Sequence, residues 1–229
     1  MRDEGEIRVY RIDLACDADE VARMRALLSE DEQHRADRFI NPDARVRFVV
    51  CRGALRQILA SSIDRDPRSL VFSYSSLGKP ALSPQMHLSA VPDFNVSHSA
   101  ELALIAVGAD GPIGIDVERV RHLDNAMGIA RRFFSRAEVQ ALEAIPAEDT
   151  DRAFFRCWTR KEAYVKGLGE GMQCPLSSFQ VDFADDVRAS LLHVEQHPQD
   201  SETWKLAPLV VDTHFVAAVA FTGDRRVII

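Results

Sequence analysis

A glutamate in the middle of an apolar helix face constrains this chain more than any other feature. The segment from Phe155 to Lys166 contains no Gly or Pro, and Phe155, Trp158 and Val165 recur at three- and seven-residue steps, so it reads as a helix. At about 100° per residue, Glu162 falls between Phe155 and Trp158, inside the stripe that faces a core. A carboxylate there cannot stay ionised without a partner. Two readings meet that need. Lys166 lies one turn on, about 40° round the same face, and would make Glu162 half of a helical ion pair at a core edge. Alternatively, Glu162 faces a metal ion and Lys166 is aimed at an anionic substrate. The glycine-punctuated stretch Gly167-Leu168-Gly169-Glu170-Gly171 follows the helix.

Composition narrows the classes to consider. A chain of 229 residues can bury a real core, as one large domain or two small ones. The charged start, Met1-Arg2-Asp3-Glu4-Gly5-Glu6, lacks an apolar signal core, so no secretion signal is expected. Apolar runs such as Leu102 to Val107 are far too short to cross a bilayer. Cys16, Cys51, Cys157 and Cys174 are scattered without a C-x-x-C, which favours free thiols in a reducing cytoplasm over a zinc site or disulfide frame. A net charge of -7 argues against nucleic acid as the main partner. The expectation is a globular, cytoplasmic protein.

Residues 6 to 14 alternate apolar and polar, as a half-buried strand does. Ser29-x-x-Glu32 has the form of a capping box, opening a helix through about Phe39. Asn41-Pro42-Asp43 breaks it and starts the next, from about Ala44 to Ser61, with Phe48, Cys51, Leu55, Ile58 and Leu59 as its core stripe. Arg45, Arg52 and Arg56 share the opposite face and read as solvated. Arg47 lies within about 20° of Ile58, on the edge of the buried stripe, and needs an anion, either a structural carboxylate or a ligand phosphate.

Leu77-Gly78-Lys79-Pro80 is a turn, followed by a strand from Phe94 to Ser99 and another from Leu102 to Val107. Ser97-His98-Ser99 brings two hydroxyls and an imidazole to one strand end, which suits phosphate oxygens, or hydroxyls that satisfy their own backbone. In Ile113-Gly114-Ile115-Asp116-Val117-Glu118, period-two alternation puts Asp116 and Glu118 on one face. Two such carboxylates suit a magnesium ion between them, or a solvated strand face. Ser135-x-x-Glu138 caps a helix to about Ile145, Glu148 to Asp151 form an acidic start to the Glu162 helix, and residues 179 to 183, 190 to 194 and 215 to 221 read as strands. No sequence repeat is visible, yet the two halves have similar lengths and element content.

Three stretches, Asn95-Val96-Ser97-His98-Ser99, Gly114-Ile115-Asp116-Val117-Glu118 and Trp158-Thr159-Arg160-Lys161-Glu162-Ala163-x-x-Lys166, in this order and spacing, closely resemble the signature blocks of 4′-phosphopantetheinyl transferases of the surfactin-synthetase type. Lys79 within Gly78-Lys79-Pro80 and the full length match as well, and residues 29 to 59 match more weakly. The resemblance implies an α+β fold: a pseudo-twofold pair of similar subdomains, each a small antiparallel sheet packed with helices, divided as 1–112 (nucleotide binding) and 113–229 (metal and catalytic carboxylates), with coenzyme A in the cleft between them. It implies transfer of phosphopantetheine from coenzyme A to a serine of an acyl- or peptidyl-carrier protein, releasing adenosine 3′,5′-bisphosphate, by a monomer.

By position, Asp116, Glu118 and Glu162 would hold magnesium against the pyrophosphate, with Asp116 also part of the coenzyme A site. Glu162 and Lys166 would be the catalytic pair, Lys166 steadying the phosphates. Arg47, Ser97 and His98 would hold nucleotide phosphates, with Gly78, Lys79 and Pro80 near the adenine, and Arg35 falls where the family places another basic residue. Glu32 departs from the pattern, standing where the surfactin-type enzyme has a lysine reaching the 3′-phosphate, which leaves that grip to Arg35 or Arg38. The short trimeric acyl-carrier-protein synthase type is a poorer match at this length, and a non-catalytic binding module of the same fold is the alternative. No Walker-type loop supports a generic magnesium–nucleotide protein.

Overall fold

The computed structural model describes residues 5–169 and 171–229, the side chain of Met172 excepted. The Met1–Glu4 part of the charged N-terminus and Glu170 of the glycine-punctuated stretch therefore lie outside the described residues.

Two long helices flank two facing sheets. Strand β1 (Glu6–Asp13) leads into helices α1 (Ala18–Arg25), α2 (Glu30–Asp37) and α3 (Pro42–Ile63), the short hairpin β2 (Phe72–Tyr74) and β3 (Pro80–Leu82), then β4 (Asp93–Ser99) and β5 (Leu102–Gly108). The second half repeats this plan. Strand β6 (Ile113–Arg119) leads into α4 (Ala126–Phe133), α5 (Arg136–Glu143) and α6 (Ala147–Leu168), the hairpin β7 (Phe179–Val181) and β8 (Leu191–Val194), a short α7 (Asp200–Thr203), then β9 (Trp204–Leu209) and β10 (Phe215–Thr222), with β11 (Arg226–Ile228) closing the chain. The strand orders correspond: β1-β5-β4 in one sheet and β6-β10-β9 in the other, all antiparallel. This is the expected pseudo-twofold α+β architecture.

The sequence explains the order within each sheet. β5 and β10 are near-continuous apolar runs buried along almost their whole length, and they occupy the centre of their sheets. Leu104 and Ala106 of β5 meet Ile113, Ile115 and Val117 of β6 and Val219 of β10 in a core between the sheets. The outer face of the first sheet packs on α3 through Leu55, Leu59, Phe94 and Ile105, and that of the second on α6 through Ala163, Tyr164, Ala218 and Ala220. Caps fix both long helices. Asn41 accepts from the Asp43 and Ala44 N–H groups with Pro42 opening α3, while Gly169, at φ +76°, ends α6 in the left-handed conformation.

The sheets meet along β4 and β6 by an unusual seam. Asn95 Oδ1, Ser97 Oγ and Ser99 Oγ, alternate residues of β4, accept hydrogen bonds from the backbone N–H groups of Ile115 (3.0 Å), Val117 (3.3 Å) and Arg119 (3.1 Å). Side chains thus do for β6 what a neighbouring backbone does inside a sheet. The hydroxyls satisfy backbone, but that of the opposite strand rather than their own turn.

Seven elements went unread in sequence: α1, β2, β3, α4, α7, β9 and β11. β9 contains Pro208, which argues against a strand, but β9 is an edge strand, where the missing N–H breaks no ladder. β11 pairs parallel with β1, Glu6 opposite Arg226, so the end of the chain returns to the first sheet. Among the described residues no helix is long and apolar enough to cross a membrane.

Candidate active site

The site forms where β6 and α6 touch. A Cβ on Gly114 would overlap the Ala163 carbonyl oxygen and the Gly167 backbone nitrogen, so only glycine lets the strand lie this close to the helix. Two residues on, Asp116 is buried beneath the α6 face that carries Glu162 and Lys166. Lys166 Nζ donates to Asp116 Oδ1 at 2.6 Å and to Ser97 Oγ at 3.1 Å, and the Ser97 hydroxyl donates to the same Oδ1 at 2.7 Å. Asp116 Oδ2 is buried with no hydrogen-bond partner among the described residues. Glu118, half-buried, accepts at 2.7 Å from the Ser99 hydroxyl.

The Glu162 side chain is half-buried and makes no hydrogen bond among the described residues. Burial raises its carboxyl pKa above the usual range and Asp116 adds to the rise, with Lys166 opposing. Glu118 is raised in the same way, by burial and then Asp116, against the Ser99 hydrogen bond. The helical ion pair is therefore not the arrangement found. Lys166 bonds the strand carboxylate, and Glu162 is left without a hydrogen bond.

A basic rim borders this cluster. His98 is exposed at the end of β4, and the partial burial of its ring, then Lys166 and Arg47, hold its imidazole below the ordinary value. Arg47 is exposed, which corrects the expectation that it sits on a buried edge and requires an anion. The fully buried residues of α3 begin only at Val49, so Arg47 precedes the part of the helix that is enclosed. Arg35 is exposed as well and lies over the Phe48 ring, 5.1 Å from its centroid. Lys79 Nζ donates to the carbonyls of Gly167 (3.0 Å) and Ile113 (3.3 Å), and burial lowers its pKa. That anchors the Gly78-Lys79-Pro80 turn, with Gly78 at φ +84°, to the same β6–α6 junction.

Arg52 and Arg56 are not solvated. Both bind Glu32, at 2.5 and 2.6 Å, and Arg56 also donates to the carbonyls of Pro67 and Leu70. The second half holds the same device. Glu138 binds Lys161 at 2.8 Å, and Lys161 donates to the carbonyls of Leu176 and Phe179. Both glutamates close a capping box, with Ser29 and with Ser135. Glu32 is thus the structural mate of Glu138, and its place in a buried ion pair accounts for its departure from the expected lysine. The two capping boxes were the signal in sequence. Their shared second role was not.

The correspondence also explains a cavity of about 790 Å³ that lies away from the carboxylates at the C-terminal end of α3. Since Arg56 and Lys161 correspond, Gln57 takes the place of Glu162 and Ser61 that of Lys166, and both line this cavity. It is the companion of the candidate site, with Gln57 and Ser61 in place of the two charged α6 side chains.

Among the described residues no group of three or more His, Cys, Asp or Glu side chains converges closely enough to form a ready-made metal cage. The donors nonetheless suit a hard cation: a buried carboxylate oxygen without a partner, and two more carboxylates whose ionised forms burial disfavours. Magnesium needs only one or two protein carboxylates when substrate phosphates and water supply the rest.

Comparison with known proteins identifies a family. A family model described as the 4′-phosphopantetheinyl transferase superfamily matches residues 112–220, and one described as the N-terminal part of 4′-phosphopantetheinyl transferase matches residues 16–109. The 4′-phosphopantetheinyl transferase HetI of Nostoc sp. is 38% identical over 218 residues, covering 95% of this chain and 88% of that protein. A 4′-phosphopantetheinyl transferase of Bacillus subtilis is 31% identical over 189 residues, 81% of this chain and 80% of its own. The transferase Sfp of the same species is 28% identical over 207 residues, 88% of each chain. The crystal structure of Thermotoga maritima holo-[acyl-carrier-protein] synthase covers 50% of this chain and 64% of its own, at 18% identity and a TM-score of 0.37. The chain belongs to the 4′-phosphopantetheinyl transferase superfamily and is a transferase.

Proposed function

We propose that the chain transfers 4′-phosphopantetheine from coenzyme A to a serine of an apo acyl- or peptidyl-carrier protein and releases adenosine 3′,5′-bisphosphate. The serine oxygen forms a bond to the pantetheine-side phosphorus, the pyrophosphate P–O bond breaks, and the serine proton leaves to a base. The observation that carries this reading is the meeting of Asp116, Glu162 and Lys166 where Gly114 brings β6 against α6.

Residues 1–112 act as the nucleotide-binding unit and 113–229 as the carboxylate unit. Asp116, Glu118 and Glu162 hold one magnesium ion, which when bound neutralises charge on the phosphates. Glu162, the half-buried α6 carboxylate whose side chain makes no hydrogen bond among the described residues, serves as the base. Lys166 steadies the phosphates at the bond that breaks. Arg47 and His98 line the open rim and contact nucleotide phosphates, with Arg35 further out. Ser97, whose hydroxyl already serves Asp116, Val117 and Lys166, acts by positioning Asp116. Gly78, Lys79 and Pro80 shape the adenine side. The protein works as a cytoplasmic monomer.

Intact-mass spectrometry of an apo carrier protein incubated with this chain, coenzyme A and magnesium tests the reading. A gain of one phosphopantetheine that EDTA abolishes is expected. No gain on any of several acyl- and peptidyl-carriers, with coenzyme A binding intact, would replace it with a non-catalytic binding role.

A further inference from the structure

Lys166 stands where two demands collide. Its ammonium lies 2.6 Å from Asp116 Oδ1 in an ion pair, while the other oxygen of that buried carboxylate is unpartnered. Among the described residues this is the one ion pair Asp116 makes. We infer that Lys166 is a resident counter-cation for Asp116, which a divalent ion must displace and which a phosphate-bearing ligand draws away. The inference rests on the reading of Asp116 as a metal ligand and adds what balances the Asp116 charge in the free enzyme and how metal and phosphate binding are coupled.

The physical case has three parts. A buried carboxylate without a cation is strongly disfavoured, so the ligand-free site needs a charge of its own, and Lys166 supplies it. A divalent ion at the free oxygen of Asp116 would share one carboxylate with that ammonium. Repulsion between cations at such separation lowers affinity at least ~10-fold, even at the effective dielectric of a protein edge. Finally, the ammonium can leave. The Lys166 side chain is 31% exposed, against 5% for Asp116, so its head group reaches solvent by rotamer change while the carboxylate stays fixed.

The companion half is an internal control. There Gln57 and Ser61 replace Glu162 and Lys166, with no charged helix side chain to hold or displace.

By linkage, an anion that binds Lys166 must raise metal affinity by the same factor as metal raises anion affinity. Metal and nucleotide therefore enter cooperatively, and the free enzyme is a weak metal binder.

The test uses Mn²⁺ as the probe, with free Mn²⁺ counted by electron paramagnetic resonance during titration of the full chain. Lys166→Met should bind Mn²⁺ at least ~10-fold tighter than the parent. It should also lose most of the enhancement that adenosine 3′,5′-bisphosphate gives the parent, whereas Lys166→Arg, which keeps the cation, should behave as the parent does. Equal or weaker Mn²⁺ binding by folded Lys166→Met overturns the inference. Asp116→Asn separates the two levels. Loss of Mn²⁺ binding in that variant supports the metal-ligand reading, and unchanged binding overturns that reading and the inference with it. A second measurement needs no variant: acylation of Lys166 in the parent, followed by peptide mass spectrometry, should accelerate as Mn²⁺ saturates the site. An unchanged rate at saturation overturns the displacement.

Discussion

At the scale of single residues, the candidate site holds charge at a cost to the fold. Glu162 and Glu118 have pKa values raised from 4.5, so the folded chain retains protons that the unfolded chain has released. Stability therefore falls as pH rises from about 4.5 through those raised values. Glu162→Gln removes one such charge while keeping shape, so its melting temperature at pH 7.5 should exceed the parent's by calorimetry, while transfer falls at least ~100-fold. A variant with lower stability and near-parent turnover would remove Glu162 from the chemistry. Glu32 behaves in the opposite sense. Burial pushes it up, yet the hydrogen bonds and charges of Arg56 and Arg52 together hold it below 4.5. Its contribution is present above pH 4.5 and is lost as pH falls through the lowered value. Glu32→Gln leaves the buried Arg56 and the partly buried Arg52 short of their anion and should cost about 3–5 kcal/mol in urea unfolding.

At the scale of elements, the β6–α6 contact controls whether the carboxylates and lysine can meet. Gly114→Ala places a methyl group against backbone of Ala163 and Gly167, which has no rotamer to yield. Overpacking of this kind costs about 1–3 kcal/mol. The sharper expectation is functional: α6 shifts outward, Lys166 loses Asp116, and turnover falls more than the stability loss predicts. Parallel denaturation and transfer assays read both. The elements themselves were legible because their signals are local: caps for α2, α3 and α5, alternation for β1 and β6, and unbroken apolar runs for β5 and β10. β9 was not, because Pro208 is forbidden inside a sheet and tolerated at its edge, and edge position is not a local property.

At the scale of the whole molecule, the two halves are joined too extensively to be independent. The core between the sheets draws on β1, β5, β6 and β10, three β4 side chains bond β6 backbone, and β11 returns to pair with β1. Arg225, buried, donates to the carbonyls of Ala109, Gly111 and Pro112 and so binds the chain end to the connection between halves. Residues 1–112 and 113–229 expressed separately should each lack cooperative unfolding, because each would expose an apolar sheet face and unpaired edges. Cooperative melting of either half alone, followed by circular dichroism, would show that the units fold by themselves.

The sequence by itself determined the helix that carries Glu162 and Lys166, the strand that puts Asp116 and Glu118 on one face, and the block Asn95 to Ser99. Periodicity states which side of an element a residue occupies, and that was enough to single out these carboxylates. It does not state what the other side meets. Only the tertiary structure decided that Arg52 and Arg56 are paired with Glu32, that Arg47 is free of the core, that Ser97 serves Asp116, and that Lys166 sits on Asp116 rather than Glu162. The reason is the same in each case. The state of a charge depends on how far water is excluded and which opposite charge is within reach, and both are fixed by surfaces that come together from distant parts of the chain.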